Sequence, residues 1–115
     1  MRSVVFYRLP NGRNPIEDYL DSLAGKQAQK VLWVLRLVEE LYVVLRQYFK
    51  KLADSEDIWE VSIQFGNNAF RLLGFFDKDS LFILTNGFTK KTQKIPQQEI
   101  DYAIRCKNEY LARRI

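Results

Sequence analysis

Residues 58–88 alternate between apolar and polar side chains, and a period of two is typical of β-strands. Small or polar residues interrupt the alternation at positions 67–68 and again at 77–80, and both places favour tight turns. The pattern therefore predicts three antiparallel strands joined by two turns. With the first turn centred on residues 67–68, Phe65 would pair with Phe70.

A second turn at residues 77–80 would pair Phe76 with Leu81 and give the sheet two faces of different composition. The first face is apolar and should pack on the core; it carries Trp59, Val61, Ile63, Phe65, Phe70, Leu72, Phe76, Leu81 and Ile83. The second face is mixed and carries Glu60, Ser62, Gln64, Arg71, Leu73, Phe75, Phe82, Leu84, Asn86 and Phe88. This register places Gln64, Arg71 and Asn86 in one row across the strands.

Helical spacing dominates the chain before the sheet. A short strand is predicted over residues 2–8, followed by a helix that Asn14 caps, Pro15 opens and Gly25 ends. Apolar residues at every third or fourth position predict a second helix over residues 26–49. The two helices would form an antiparallel hairpin. Its wide apolar stripe would pack on the sheet or, alternatively, offer a groove to a partner helix.

Residues 50–57 are predicted to be a polar connection, and a last helix is predicted from Pro96 to about Arg113. Together the elements predict an α+β fold: an N-terminal strand, a helical hairpin, a three-stranded antiparallel meander completing one sheet, and a C-terminal helix. A chain of 115 residues is expected to form one domain, 1–115. The N-terminus lacks signal-peptide features and no apolar run approaches the roughly 20 residues that span a bilayer, so a cytoplasmic protein without membrane contact is expected.

The net charge of +4 is concentrated near the end of the chain. Residues 1–86 contain 11 basic and 11 acidic side chains, whereas residues 87–115 contain seven basic and three acidic ones and so account for the whole excess. A basic zone on a neutral body suggests a polyanion as partner. The alternative interpretation is a C-terminal helix whose charges only keep the protein in solution.

The composition excludes most kinds of catalytic site. The chain has no histidine and one cysteine, Cys106, so it lacks the usual general base and the usual metal ligands, and we expect no metal and no cofactor. RNA carries its own nucleophile, the 2′-hydroxyl, so cations that position and neutralise the phosphate can be enough to cleave it. Arg71 is the candidate, because a guanidinium matches two phosphate oxygens. Its alternative role is an ion pair with Glu60 or with the C-terminal helix.

Three segments carry a resemblance to a known family: IWEVSIQF, FRLLGFF and GFTKKTQKIPQQEI. Together with the order of one strand, two helices and three strands, they resemble the RelE/ParE toxin superfamily, and in particular its phage-derived, HigB-like branch. The resemblance extends from Val4 to Tyr110. It implies a RelE-like fold and the toxin of a type II toxin–antitoxin pair. Most members are endoribonucleases that enter the ribosomal A site, cut mRNA to leave 2′,3′-cyclic phosphate and 5′-hydroxyl ends, and are neutralised by a helix-turn-helix antitoxin.

The resemblance also implies roles for individual residues. Arg71 matches the family's central-strand arginine, which stabilises the scissile phosphate, and Lys90 and Lys91 match the basic cluster after the last strand. These three are the predicted catalytic residues. The predicted contacts with RNA are Gln64, Asn86, Lys94, Arg105, Arg113 and Arg114.

The chain departs from the family pattern at two places. The strand before Arg71 often carries a basic residue where this chain has Ser62 or Gln64. Gln97 stands where some members have a tyrosine or histidine, so Tyr102 or Tyr110 would have to take that place.

Three functions are compatible with these features. The first is a ribosome-dependent mRNA endonuclease that inhibits translation, with mRNA, the ribosome and a helix-turn-helix antitoxin as partners. The second is a non-enzymatic or degenerate family member, either an inhibitor like the ParE branch, which targets DNA gyrase, or an antitoxin-binding regulatory subunit. The third is a general RNA-binding module.

Overall fold

The computed structural model describes residues 2–90 and 94–114. The elements in chain order are β1 Ser3–Phe6, α1 Pro15–Asp21, α2 Gly25–Glu40, β2 Phe49–Lys51, β3 Trp59–Phe65, β4 Asn68–Phe76, β5 Leu81–Lys90 and α3 Gln97–Arg113. The strands form one five-stranded sheet in the order β1-β5-β4-β3-β2. β1 runs parallel to β5, and the other pairs are antiparallel. The α+β fold predicted from the sequence, with its N-terminal strand, helical hairpin and C-terminal helix, is confirmed.

The helical hairpin begins as predicted but ends earlier. The Asn14 side chain caps α1 by accepting a hydrogen bond from the Glu17 amide at 3.1 Å and donating one to the Glu17 carboxylate at 2.9 Å. α1 stops at Asp21, so Gly25 opens α2 instead of ending α1.

The predicted continuation of α2 to residue 49 is wrong, because the helix ends at Glu40. The Arg2 guanidinium donates hydrogen bonds to the carbonyls of Val38 at 3.0 Å, Leu41 at 2.7 Å and Tyr42 at 3.1 Å. Carbonyls at a helix C-terminus lack hydrogen-bond donors within the helix. Here the donor is the side chain of Arg2, the residue before β1. The apolar periodicity beyond Glu40 therefore does not continue the helix.

Part of that segment forms a strand that the sequence analysis did not predict. β2 pairs with β3 and places Phe49 in the core, where its ring lies 4.8 Å from that of Trp59 and 5.1 Å from that of Phe82. The predicted polar connection is therefore wrong at residues 50–51, which belong to β2.

The first hairpin turns one residue earlier than predicted. Phe65 pairs with Asn68, so the turn consists of Gly66 and Asn67. Gly66 has a φ of +60°, which glycine adopts without steric cost at the first position of a two-residue turn. The pairing differs from the prediction by two residues, so every side chain of β3 and β4 keeps its predicted face.

The second turn is one residue longer than predicted, since Phe76 pairs with Phe82. A shift of one residue moves side chains to the opposite face. The predicted faces of residues 81–84 are therefore wrong: Phe82 and Leu84 pack with the helical hairpin, and Leu81 and Ile83 point towards α3. Leu73 pairs with Asn86 and Gly74 pairs with Leu84, so Thr85 of β5 is an extra residue without a pairing partner on β4. This second shift of one residue returns Asn86 and Phe88 to their predicted face.

The two faces of the sheet are covered to different extents. α1 and α2 pack on the first face, where Val61, Ile63 and Leu72 are buried. On the second face α3 packs on Leu73 and Phe75. At the other end of this face Ser62, Arg71 and Lys90 are half-buried and Gln64 is exposed. None of the helices in the described ranges is both long enough and apolar enough to cross a membrane.

Candidate active site

Charged side chains gather on the uncovered half of the second face. Arg71 lies on the central strand β4, and its diagonal neighbours on that face include Glu60 of β3 and Lys90 of β5. Diagonal neighbours in a sheet are about 7–8 Å apart. Lys50 of β2 lies directly opposite Glu60. These four residues, Lys50, Glu60, Arg71 and Lys90, are referred to below as the charged cluster.

The predicted row of Gln64, Arg71 and Asn86 is wrong. Ser62 and Phe88 are the direct neighbours of Arg71, because each turn and the extra residue Thr85 in β5 shift the pairing. Gln64 still lies near Arg71, since both line one concavity. Asn86 lies in the covered half of the face.

Asn86 joins α3 to the sheet. Its side chain is buried and donates hydrogen bonds to the Glu99 carboxylate at 3.0 Å and the Glu99 carbonyl at 3.3 Å. It also accepts a hydrogen bond from the Thr85 hydroxyl at 2.6 Å. The side-chain amide of Asn86 is therefore engaged by the first turn of α3.

Glu60 lies between the cations of the charged cluster. Its side chain is 2% exposed, with Oε2 2.9 Å from Nε of Arg71 and Oε1 3.8 Å from Nζ of Lys50. Within the described residues, Oε2 makes no hydrogen bond of good geometry. Its contact with Arg71 is therefore a close ion pair in which the Nε–H does not point at the oxygen. The ion pair that the sequence offered as the alternative role of Arg71 is therefore present.

The Arg71 guanidinium keeps part of its donor capacity. Its side chain is 16% exposed, Nε faces Glu60, and Nη1 donates to the Phe70 carbonyl at 3.1 Å. Within the described part of the chain, Nη2 has no hydrogen-bond partner. Nη2 can therefore donate to a ligand while the ion pair stays in place.

A shallow concavity of about 230 Å³ opens beside Arg71. It is lined by Gln47, Tyr48, Ser62, Ile63, Gln64 and Arg71. Two amides, two hydroxyls and a guanidinium supply hydrogen-bond donors, and none of the described residues places a carboxylate in the lining. This lining suits a polar anion such as a phosphodiester.

Lys90 has a pKa below its ordinary value of 10.5. Partial burial is the largest cause, the positive charge of Arg71 is the second, and Lys50 acts in the same direction. Glu60 acts in the opposite direction and raises the pKa of Lys90. A lowered pKa makes the ammonium group a stronger proton donor near neutral pH.

The other predicted site residues lie elsewhere or outside the description. Lys91, which the resemblance matches to the basic cluster, lies outside the described residues. Lys94 is exposed just before α3. Arg105 is exposed on α3, with its guanidinium carbon 5.6 Å from the centre of the Tyr102 ring.

The C-terminal arginines lie at the opposite end of the sheet from Arg71. Arg114 forms an ion pair with Asp77, which follows β4 and lies six residues, or roughly 20 Å, along the chain from Arg71. Arg113 pairs with Glu109 at 3.2 Å, and Tyr110 donates to Asp77 at 2.7 Å. The structure thus separates these side chains from the charged cluster.

Sequence reasoning missed Tyr48 and Lys50, because it placed them in a helix and a loop. The aromatic pair Tyr48-Phe49 was the available signal, since aromatic residues favour strands. With Phe49 facing the core, alternation along β2 puts Lys50 on the face that carries Arg71. Within residues 2–90 and 94–114, no three His, Cys, Asp or Glu side chains gather into a metal-binding group.

Comparison with known proteins places the chain in a family. The family described as phage-derived protein Gp49-like (DUF891) matches residues 18–108, which include the whole charged cluster and the lining of the concavity. No curated protein sequence matches the chain. Since the match covers well over half of the 115 residues, the chain belongs to the family of phage-derived Gp49-like proteins.

Proposed function

We propose that this protein is the toxin of a toxin–antitoxin pair and an endoribonuclease that cuts mRNA on the ribosome. The observation that carries the proposal is the charged cluster beside a donor-lined concavity. Its three cations and one carboxylate leave a net charge of +2 on an open face. Membership of the Gp49-like family and the resemblance of three segments to HigB-like toxins support the same class.

The proposed reaction uses the 2′-hydroxyl of the RNA as the nucleophile. The scissile phosphate occupies the concavity, and Nη2 of Arg71 donates to a non-bridging oxygen whose charge grows in the transition state. The 2′-oxygen forms a bond to phosphorus, its proton passes to solvent, and the bond from phosphorus to the 5′-oxygen breaks. The ammonium of Lys90 donates a proton to the departing 5′-oxygen. The products are a 2′,3′-cyclic phosphate and a 5′-hydroxyl.

The remaining side chains of the open face would bind the RNA chain. Tyr48, Ser62 and Gln64 line the concavity and offer hydroxyl and amide contacts to the ribose and bases. By the family resemblance, Lys91 would help Lys90 to hold the phosphate or supply a proton, and Lys94 would contact the RNA backbone. Messenger RNA, the ribosome and a helix-turn-helix antitoxin are the proposed partners.

The experiment is induced expression of the wild type, Arg71→Ala and Arg71→Lys, with mapping of RNA ends in cells. Arg71→Ala should lower mRNA cleavage by about 10²–10³-fold, because a preorganised donor to the transition state is lost. Arg71→Lys should keep an ion pair with Glu60, and therefore stability, but lose the guanidinium fork and most of the cleavage. Arg36→Ala is the matched control, since Arg36 is exposed on α2 and α2 covers the opposite face of the sheet.

Full cleavage by a folded Arg71→Ala variant would show that the assigned site is wrong. The non-enzymatic alternative has one observation in its favour, namely that Arg71 is already engaged by Glu60. It predicts growth arrest with intact mRNA, together with stalled supercoiling if the target is DNA gyrase. A general RNA-binding module predicts salt-sensitive binding to free RNA and no growth arrest.

A further inference from the structure

Glu60 belongs to the charged cluster, but the proposed reaction gives this residue no task. A carboxylate repels an RNA phosphate, and a buried carboxylate loses its hydration, so both effects act against Glu60 at this position. Its side chain is nevertheless 2% exposed, and Oε2 has no well-aligned donor among the described residues.

We infer that Glu60 is a positioning residue, which holds the Arg71 guanidinium towards the concavity and keeps Lys90 in its charged form for proton donation. The inference rests on the proposed function, because it assigns Glu60 a task in that reaction. Glu60 touches neither the phosphate nor the leaving group in this account. It acts through Arg71 and Lys90.

The contact geometry supports the first part of the inference. Oε2 lies 2.9 Å from Nε, on the inner edge of the guanidinium, while the Arg71 side chain lines the concavity. Nη2 carries two N–H groups, and a carboxylate beside Nε can face only one of them, so the other N–H stays available to a phosphate. Glu60 therefore orients the guanidinium without occupying the group that would reach a phosphate.

The charge distribution supports the second part. Among the described residues, the charged groups that act on Lys90 are Arg71 on β4, Glu60 on β3 and Lys50 on β2, and only Glu60 is negative. Arg71 and Lys50 lower the pKa of Lys90, whereas Glu60 raises it. Without the carboxylate, Lys90 would lose its proton at a lower pH. An acid that has lost its proton cannot protonate the 5′-oxygen.

The test compares two substitutions with opposite expected signs. Glu60→Gln keeps the shape of the side chain and removes its charge, so the pKa of Lys90 should fall. Lys50→Met removes a cation, so the pKa of Lys90 should rise by a smaller amount. Lys51→Met is the matched control, because Lys51 is the next residue on β2, points to the other face and pairs with Asp57 at 2.9 Å. It should leave the pKa of Lys90 unchanged.

The first readout is NMR titration of purified protein with ¹³C-labelled lysine, in which Lys90→Arg assigns the Lys90 signal. It needs no RNA. The second readout is the rate of cleavage of ribosome-bound mRNA as a function of pH. Cleavage should decline as the pH rises through the pKa of Lys90, so this decline should move to lower pH in Glu60→Gln and to higher pH in Lys50→Met.

A loss of stability in Glu60→Gln with no change in the Lys90 titration would overturn the inference and leave Glu60 a structural residue. If Glu60→Gln does not fold, Glu60→Asp decides: the shorter side chain keeps the charge but draws it back towards β3, so an unchanged Lys90 pKa in that variant also contradicts the charge coupling. If the wild type cuts no RNA, the proposed function is refuted. Opposite shifts of the Lys90 pKa in Glu60→Gln and Lys50→Met would still support the control that Glu60 exerts over the charge of Lys90.

Discussion

At the scale of single residues, Lys90 is the clearest case of chemistry set by surroundings. It ends β5, where partial burial and the charge of Arg71 lower its pKa. In the unfolded chain its pKa returns to about 10.5. Protonated Lys90 therefore disfavours the folded state at every pH below its lowered pKa. That penalty disappears as the pH rises from the lowered pKa towards 10.5.

The substitution Lys90→Met separates the proposed catalytic role of this lysine from its effect on stability. The variant should lose cleavage by about 10²-fold or more, because the proposed proton donor is removed. At pH 7 its free energy of unfolding should match or exceed that of the wild type, since a disfavoured charge is gone. Chemical denaturation and cleavage of ribosome-bound mRNA measure the two effects.

Lys26→Met is the control for that substitution, because Lys26 is exposed at the start of α2. It should leave both quantities unchanged. Retention of wild-type cleavage by Lys90→Met would remove Lys90 from the mechanism and leave the charged cluster as a binding site only.

At the scale of elements, Gly74 allows β4 and β5 to pair closely where their register changes. A Cβ at this position would lie 2.4 Å from the carbonyl oxygen of Ile83 and 2.9 Å from the Phe82 ring. The carbonyl belongs to the backbone of the neighbouring strand, so it cannot move aside without breaking the pairing that positions Arg71.

Gly74→Ala should therefore destabilise the protein by about 1–3 kcal/mol, the usual cost of overpacking a well-packed interior. Gly25→Ala is the matched control: a Cβ there meets no atom within 4 Å, and the residue lies in α2. The control should raise stability by about 0.4–1 kcal/mol by restricting the unfolded chain. Equal unfolding midpoints for the two variants in urea would refute the close approach at Gly74.

The sequence predicted elements well where local signals decide them. Asn14 and Pro15 fix the start of α1, and Pro96 precedes α3, because capping and proline geometry act over a few residues. The end of α2 could not be predicted in this way. It depends on the Arg2 side chain, which reaches the helix from about 40 positions earlier in the chain.

The faces of residues 81–84 could not be predicted for a different reason. Phe82 and Ile83 are both apolar and both buried, so the pattern does not show which of them faces the helical hairpin. One additional residue in the turn decides the matter. Arg71 was identifiable because it is a lone cation within an apolar strand, whereas Lys50 lies in a strand of three residues that the sequence did not reveal.

At the scale of the whole molecule, the two faces of the sheet have different tasks. The helical hairpin covers the first face, and α3 covers only part of the second. The charged cluster lies on the part that remains open, with rigid strands on both sides of Arg71. Catalytic side chains on paired strands are held more precisely than side chains on loops.

Net charge along the chain did not locate this site. The excess of positive charge lies after residue 86, but Lys50 and Arg71 of the cluster come from the neutral part of the sequence. Arg113 and Arg114, which belong to the basic part, form ion pairs at the other end of the sheet. The site is therefore assembled by the pairing of four consecutive strands, β2 to β5, and charge counts along the chain cannot show this.

The central claim is that the protein cleaves mRNA by attack of the RNA's own 2′-hydroxyl at the charged cluster. The most direct test uses purified protein, ribosomes and an mRNA with a single 2′-deoxynucleotide on the 5′ side of a mapped cut. The account predicts that the all-ribose mRNA is cut to leave a 2′,3′-cyclic phosphate and a 5′-hydroxyl, and that the deoxy substitution abolishes this cut. Cleavage at the deoxy position, ends carrying a 3′-hydroxyl and a 5′-phosphate, or no cleavage of either mRNA would contradict it.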